Sequence, residues 1–215
     1  MRPYLIEGLD CSGKKTVARR AQELLAEQGV AVDLVIGPLV QGPLGRLDGY
    51  LANITRPVSP TGALGRFRRL SYTVGPVVDG VFYRPGRHTR DVKVSSHYRA
   101  WARARAEGDG LMDRAFASTH RHHPVYAGAT LLSTAFDVRL RRHREDVATG
   151  RTSKNEQRRF FGPDQVRFEA WHTALDGLME RHIPHLQRLD SGGDDIDSTA
   201  RRVVQHALNC WEQHR

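Results

Sequence analysis

The sequence predicts an α/β fold in which helices cover both faces of a parallel β-sheet. The first observation behind this prediction is that short apolar runs alternate along the chain with longer segments of helical periodicity. The second is a glycine-rich turn between the first apolar run and the first helical segment, which is typical of strands joined through helices. Because 215 residues suit one domain with a substantial core, we expect a single domain over residues 1–215.

The N-terminal part of the chain predicts a complete βαβ unit. The first strand is the apolar run PYLIEG at 3–8, which ends at a glycine. In the helix that follows, apolar residues recur at helical spacing from Val17 to Leu25, and Gly29 ends the helix. The second strand is VAVDLVIG at 30–37, so the crossover between the two strands should be right-handed.

The middle of the chain gives weaker signals. Residues 38–110 are rich in glycine and proline and predict loops with short helices, which we expect at the carboxyl edge of the sheet, where ligands bind in open α/β folds. Within this stretch, SSHYRAWARARAEGDG at 95–110 predicts a helix that starts at serine and stops at glycine. GLMDRA at 110–115 predicts the third strand, which would end at Asp113 and Arg114.

The C-terminal half predicts two more strands and three helices. ATLLSTA at 129–135 is the fourth predicted strand, followed by a strongly basic helix and by a polar segment at 148–162 that predicts a mobile loop. An apolar face from Trp171 to Met179 predicts an amphipathic helix. QRLDSGG at 187–193 is a weak fifth strand, and the stripe from Val203 to Trp211 belongs to the closing helix.

The net charge of +9 comes mainly from arginine, since only 4 of the 33 basic residues are lysine. Three interpretations fit this composition: a nucleic-acid partner, a genome whose codons favour arginine, and an enzyme that handles small phosphorylated ligands. Composition alone does not separate them, although a nucleic acid is not the partner we favour.

The chain has no apolar run long enough to span a bilayer and no stretch that fits a signal peptide. The two cysteines, Cys11 and Cys210, are too far apart in sequence to indicate a disulfide framework. We therefore expect a cytoplasmic protein without a membrane partner.

The stretch GLDCSGKKT at 8–16 is close to the pattern of a phosphate-binding loop, which runs Gly, four residues, Gly-Lys and then Ser or Thr. Gly8, Gly13 and Lys14 match this pattern, but Lys15 occupies the hydroxyl position and Thr16 stands one residue late. The loop follows a predicted strand and opens a predicted helix, which is the setting that the pattern requires. Its backbone N–H groups and the helix N-terminus would then surround an anion.

The opening YLIEGLDCSGKKT resembles that of thymidylate kinases and their relatives, which typically read FEGLDGSGKTT. Further along, the resemblance rests on Asp113-Arg114, on an arginine-bearing helix and lid at about 139–162, and on Asp190-Ser191-Gly192. It implies the three-layer fold of P-loop NTPases, with a five-stranded parallel sheet, a helical lid and an acceptor-binding region at about 38–125.

The resemblance also implies transfer of the γ-phosphate of ATP, with Mg²⁺, to a nucleotide or nucleotide-like acceptor. It assigns Lys14, Asp113, Arg114 and Asp10 to catalysis. The ATP-binding set is Gly8, Cys11, Ser12, Gly13, Lys14, Lys15, Thr16, Arg141, Arg144, Arg151, Ser191 and Gly192. The lid candidates are Arg141, Arg142, Arg144 and Arg151. The acceptor set is Asp10, Arg66, Arg69, Tyr72 and Arg114. The metal set is Thr16 and Asp113.

Two departures from the family's pattern lie on the acceptor side. The acid expected after the second strand is missing from GPLVQGP, and the tyrosine expected after Asp113-Arg114 is missing as well. ATP is therefore better supported than thymidylate as a ligand. Two alternatives stay open: a kinase of specialised metabolism that phosphorylates a hydroxyl of a modified nucleoside or nucleoside 5′-phosphate, and an inactive nucleotide-binding module.

Three smaller predictions complete the sequence analysis. The thiol of Cys11, at a helix N-terminus beside two lysines, predicts a lowered pKa. HRHHP at 120–124 predicts a solvated loop rather than a zinc site, because its histidines lack ligand spacing. Relatives of this kind are often dimers, so a homodimer is an open expectation.

Overall fold

A five-stranded parallel sheet forms the centre of the molecule, which is described here from a computed structural model. The structure describes residues 1–40, 43, 73–84, 90–150, 165–193 and 195–214. The strands are β1 (Tyr4–Gly8), β2 (Val32–Ile36), β3 (Arg90–Val94), β4 (Gly128–Ser133) and β5 (Leu186–Asp190), in the spatial order β2-β3-β1-β4-β5. All four neighbouring pairs run parallel, which confirms the predicted α/β class and the five-stranded sheet.

Helices of the described residues cover both faces of this sheet. They are α1 (Lys14–Glu27), α2 (73–82), α3 (His97–Ala106), α4 (Gly110–His120), α5 (Phe136–Ala148), α6 (Gln165–His182) and α7 (Ile196–Glu212). None of these helices is both long and apolar enough to cross a membrane.

The central strand β1 is buried along its whole length because it has partners on both edges and helices on both faces. Leu5 pairs with Lys93 of β3 and with Ala129 of β4. This burial explains why β1 is continuously apolar up to Glu7 rather than alternating, as expected for a central parallel strand.

Two hydrophobic layers lie on opposite faces of the sheet. On one face, Tyr4 and Ile6 pack with the buried sides of α1 and α7, and Trp211 fills the space between them. On the other face, Leu5 packs with an aromatic-rich layer from α3, α4 and α6 that includes Trp101. Alternate residues of β1 therefore supply both cores, which fixes the strand and the loop that follows it.

The prediction of a third strand at 110–115 is wrong. These residues begin α4, where the Asp109 side chain accepts a hydrogen bond from the Met112 amide as a helix N-cap. Met112 and Phe116, one turn apart, are buried on the same face of this helix. An apolar pair at this spacing fits a helix, and the short run GLMDRA looked like a strand only in isolation.

The third strand is instead β3, whose sequence RDVKV contains three charged residues in five. Two of these charges are buried: Asp91 accepts a hydrogen bond from the Tyr83 hydroxyl, and Lys93 forms an ion pair with Asp79. Their partners come from α2 or directly follow it, so neighbouring residues in the sequence did not indicate that the charges would be buried.

The other predicted strands, and the predicted helices that fall on described residues, are confirmed with shifts of a few residues at their ends. The helix predicted at 95–110 is α3, and Gly108 with φ 70° lies just beyond it. The weak fifth strand at 187–193 is β5. Most of the loop predicted at 148–162 lies outside the described residues, as does much of the region at 38–125.

Candidate functional site

The carboxyl ends of β1 and β3 open into a cavity of about 740 Å³. One wall is formed by the loop at 9–13 and the first two turns of α1. The facing wall is formed by α2, the end of β3 and the start of α3. The α1 side contributes Asp10, Cys11, Ser12, Gly13, Lys14, Lys15, Thr16 and Arg19, and the facing side contributes Asp79, Lys93, Ser95, Ser96, His97 and Arg99.

A smaller cavity of about 260 Å³ adjoins the same loop. It is bordered by the loop, by Arg142 of α5, by Ser191 after β5, and by Ile196 and Thr199 of α7. Ser12, Gly13 and Thr16 border both cavities. A ligand that extends from one cavity to the other would therefore pass over the start of α1.

The loop leaves β1 through a close approach that excludes a side chain. A Cβ atom on Gly8 would lie 2.5 Å from the Leu132 carbonyl oxygen of β4, so glycine is required here. Further on, Gly13 has φ 80° directly before α1. Cys11 has φ 60°, a conformation that glycine adopts more easily than cysteine, and the resemblance places a glycine at this position.

All five consecutive carbonyl groups from residue 8 to residue 12 accept hydrogen bonds from side chains. The carbonyl oxygens are thereby turned toward the protein, and the first amide groups of α1 have no acceptor within the helix. Such a concave loop before a helix binds anions. The bonds are Lys14 Nζ to Gly8 O (2.5 Å) and Leu9 O (3.0 Å), Arg139 Nε to Asp10 O (2.5 Å), Arg142 Nη1 to Cys11 O (3.3 Å), and Ser191 Oγ to Ser12 O (2.8 Å).

Glu7, which the sequence analysis did not consider, lies fully buried beneath the loop. Its Oε1 accepts a hydrogen bond of 3.0 Å from the Gly8 amide, while the buried Oε2 has no hydrogen-bond partner among the described residues. Burial raises the pKa of Glu7 to about 7, although the charges of Lys14 and Arg99 oppose this shift. The signal in the sequence was a single glutamate in a strand that is otherwise apolar.

Lys14 carries most of its positive charge near pH 7. Burial lowers its pKa to about 8, and the nearby Glu7 carboxylate opposes that shift. The Lys14 side chain bonds to loop carbonyls and borders the larger cavity. It is therefore placed to hold negative charge at the start of α1.

Ser12 contributes a buried hydroxyl group beside the start of α1. The residue is 1% exposed, and its Oγ has no hydrogen-bond partner among the described residues. Thr16 is exposed at the border of the two cavities, whereas Lys15 and Arg19, one turn apart on α1, border only the larger one. Lys15 thus occupies the expected hydroxyl position with its side chain on the cavity wall.

The facing wall contains two ion pairs. Arg99 pairs with Asp10 of the loop, and Lys93 pairs with Asp79. Of these four residues the sequence analysis named only Asp10. The other three were missed because the third strand was assigned to the wrong segment, and residues next to the true β3 were not considered.

Asp113 and Arg114 do not meet the loop. Asp113 lies on α4, where it accepts hydrogen bonds from Trp101 Nε1 (2.6 Å) and Arg105 Nε (3.1 Å), and Arg114 is exposed. Neither residue borders either cavity. The true third strand is followed by Ser95 and Ser96 in place of the expected Asp-Arg pair.

The arginines of α5 divide into two groups. Arg142 contacts the loop, as does Arg139, which the sequence analysis did not name and which stacks 4.3 Å from the centre of the Phe168 ring. Arg141 and Arg144 are exposed on the same helix. The predicted ligands Arg151, Arg66, Arg69 and Tyr72 lie outside the described residues.

The turn after β5, where the resemblance places ATP-binding residues, meets the loop. Besides its bond to Ser12, Ser191 accepts a hydrogen bond of 2.7 Å from Arg142 Nη2 through its carbonyl. The neighbouring Gly192 donates its amide to Asp190 Oδ1 at 2.8 Å. A hydrogen-bonded link therefore runs from the loop through α5 to the turn after β5.

The prediction of a low pKa for Cys11 is wrong. The thiol is partly buried, and this burial raises its pKa, while Arg139 acts in the opposite direction. The arginine and lysine charges near the loop therefore do not outweigh the loss of solvent around the sulfur.

The segment 120–124 is only partly solvated. His120 accepts or donates a bond of 2.9 Å with the Tyr98 hydroxyl, and its ring centre lies 4.2 Å from that of His182. The His123 ring centre lies 4.1 Å from that of His97, whereas His122 is exposed. No group of three or more possible metal ligands occurs among the described residues.

Comparison with known proteins gave no match to a protein-family model and no significant match to a curated protein sequence.

Proposed function

We propose that this chain is an ATP-dependent kinase that transfers the γ-phosphate to a small nucleotide or nucleotide-like acceptor. The observation that carries the proposal is the loop at 9–13, where the carbonyls of residues 9–12 are bonded to side chains while Lys14, Ser12 and the start of α1 line a large cavity. The loop lies at the carboxyl edge of a parallel sheet, where open α/β folds bind ligands. The resemblance to thymidylate kinases supports the same assignment.

In this proposal the triphosphate lies over the start of α1. Backbone amides from Gly13 to Thr16 and the Lys14 ammonium hold the β- and γ-phosphates, and the charge of Lys14 stabilises the transferring group. The nucleoside part of ATP occupies the smaller cavity, beside Ser191 and Thr199. Arg142 closes this side of the site.

The residues at the loop also suit Mg²⁺, which prefers oxygen ligands and keeps several waters. Thr16 offers a hydroxyl and Asp146 of α5 a carboxylate, and both border the two cavities. Asp113 borders neither cavity and is not part of this proposal. When bound, the metal would offset phosphate charge, while Lys14 and the amides orient the γ-phosphate.

A second candidate function is favoured by the wall that faces α1. Ser95 and Ser96 follow the third strand where thymidylate kinases have Asp-Arg, and paired charges replace the free arginine. This wall supports an acceptor other than thymidylate, as in a kinase of specialised metabolism that phosphorylates a hydroxyl of a modified nucleoside or nucleoside 5′-phosphate.

The test is ADP release and transfer of labelled γ-phosphate across a panel of nucleosides and nucleoside monophosphates. We expect Lys14→Met to lower turnover by about 100-fold or more, because Lys14 stabilises the transferring charge. The matched control is Arg201→Gln, since Arg201 is an exposed cation of α7 away from both cavities. Equal turnover in Lys14→Met and the parent contradicts the assignment. ATP binding without transfer to any acceptor would instead favour the inactive nucleotide-binding module.

A further inference from the structure

A buried ion pair borders the larger cavity at the wall formed by α2 and β3. Lys93 is 3% exposed and Asp79 1% exposed, and the Lys93 ammonium contacts Asp79 Oδ2. The other carboxylate oxygen, Oδ1, accepts a hydrogen bond of 2.9 Å from the Val40 amide. Both charged residues are therefore fixed in position, and both border the cavity although their side chains are almost fully buried.

Stability alone does not account for this pair. Lys93 sits beside Leu5 in the sheet register, and Leu5 packs into the apolar layer of α3, α4 and α6. Removing two charges from water costs much of what their attraction returns, and an apolar pair of similar size is often at least as stable. A buried pair that also borders a cavity is therefore a candidate for recognition.

The pair keeps spare hydrogen-bonding capacity. An ammonium has three donors and a carboxylate about four acceptor positions, so Lys93 retains donors and Asp79 retains acceptors after their mutual bond and the bond from Val40, as far as the described residues show. These groups lie side by side, and their net charge is zero. They suit a neutral group that offers a donor and an acceptor on neighbouring atoms, as the edge of a nucleobase does.

The charges of the cavity are segregated in a way that orients a ligand. On the α1 side, Lys14, Lys15 and Arg19 form no ion pair with another described residue. An anionic group is therefore attracted to α1, whereas the Asp79–Lys93 pair on the facing wall has no net charge and does not attract it.

We propose that Asp79 and Lys93 form the recognition site for the neutral polar edge of the acceptor, with the reacting end toward Lys14. This inference rests on the proposed function, and it adds residues and a ligand chemistry that the resemblance does not assign. The acceptor edge donates to Asp79 and accepts from Lys93 while the pair itself stays intact.

The test is the double variant Asp79→Leu/Lys93→Met, which removes both charges but keeps similar volumes. Its control is Arg20→Met/Asp197→Leu, which removes an ion pair between α1 and α7 that borders neither cavity. The probes are ATP, and uridine, thymidine, cytidine, adenosine, guanosine and their 5′-monophosphates, each measured by thermal shift and by titration.

We expect the double variant to melt within about 2 °C of the parent or higher and to bind ATP as the parent does. Its affinity for the nucleosides and monophosphates that bind the parent should fall by about 10-fold or more, because two hydrogen bonds are lost. The control double variant should keep the parent's affinity for every probe.

Three results would overturn the inference. The first is a clear fall in melting temperature in the double variant beyond that of the control, which would make the pair structural. The second is unchanged affinity for the probes, and the third is a panel in which no probe binds the parent better than the double variant. A parent that fails to bind ATP refutes the proposed function separately, because ATP is measured in its own arm.

Discussion

The two walls of the larger cavity differ in whether their cationic side chains form ion pairs. On the α1 wall, Lys14, Lys15 and Arg19 have no ionic partner among the described residues. On the facing wall, Lys93 and Arg99 are each bound to a carboxylate. Free cations are available to a charged ligand, whereas paired charges bind through the hydrogen-bonding positions that the pair leaves over. The first wall therefore suits phosphate and the second a neutral polar group.

The walls also differ in how they are held. The loop of the α1 wall is fixed through its carbonyls by side chains of α5 and of the turn after β5. The facing wall is fixed by the buried pair of Lys93 and Asp79 and by the pair that Arg99 forms with Asp10 of the loop. Removing one side chain should therefore weaken ligand binding on the first wall and lower the free energy of unfolding on the second.

The largest expected effect is on stability, at the facing wall. Lys93→Met alone leaves the Asp79 carboxylate buried without its cation, so we expect the free energy of unfolding to fall by about 3–5 kcal/mol. Urea unfolding of this variant beside the double variant measures the difference. A single variant as stable as the double variant would show that Asp79 regains solvent easily, and the contrast between the walls would then fail.

The next effect is on ligand binding, at the α1 wall. Arg139→Met removes the bond to the Asp10 carbonyl, and we expect ATP affinity to fall by about 10-fold because the loop loses its fixed shape. Cys11→Gly should restore part of that affinity, since glycine adopts the φ of 60° without strain.

The matched control for Arg139→Met is Asp137→Asn, an exposed residue in the first turn of the same helix. Titration of ATP into the parent, Arg139→Met, Arg139→Met/Cys11→Gly and Asp137→Asn separates a local effect from a general loss of α5. Equal affinity in Arg139→Met and the parent would mean that the loop keeps its shape without this bond.

The smallest expected effect is on the pH dependence of stability, through the partly buried histidines His120 and His123. Burial, together with the charge of His182, lowers the pKa of His120 to about 4, and burial with neighbouring charges, including His97 and Lys93, lowers that of His123. The unfolded state then binds more protons than the folded state below about pH 6.5, so stability falls as pH decreases toward 4.

We expect this loss to be about 1 kcal/mol per histidine after allowance for partial solvent exposure. Unfolding at several pH values between 6.5 and 4 should give a smaller slope in His120→Gln than in the parent. His122→Gln, at an exposed position of the same segment, serves as the control. A slope unchanged by His120→Gln would remove His120 from this account.

The contrast between the two walls also explains which part of the site could be predicted from the sequence. The α1 wall comes from one contiguous stretch, so the spacing of Gly8, Gly13 and Lys14 is enough to indicate its form. The facing wall joins residues such as Val40 and Asp79 that lie 39 positions apart. Local patterns do not report such contacts.

Burial of charge caused the main error in the fold. Asp91 and Lys93 made β3 look like a surface segment, although both are buried through partners elsewhere in the chain. The run GLMDRA at 110–115 is more apolar than RDVKV, so hydrophobicity alone predicts the strand there. Hydrophobic periodicity identifies a buried strand only when its charges do not find partners at a distance.

The bonds that hold the loop carbonyls have a consequence for the synthesis of the chain. Ser12 is bonded to Ser191, 179 residues further on, and Asp10 to Arg139, 129 residues further on. A ribosome releases these partners long after the loop itself has emerged, and contacts of such separation form slowly. The segment proposed to bind phosphate is thus among the first to be made, and we expect it to be among the last to be ordered, so that a nascent chain would gain the proposed affinity for nucleotide only after β5 joins the sheet.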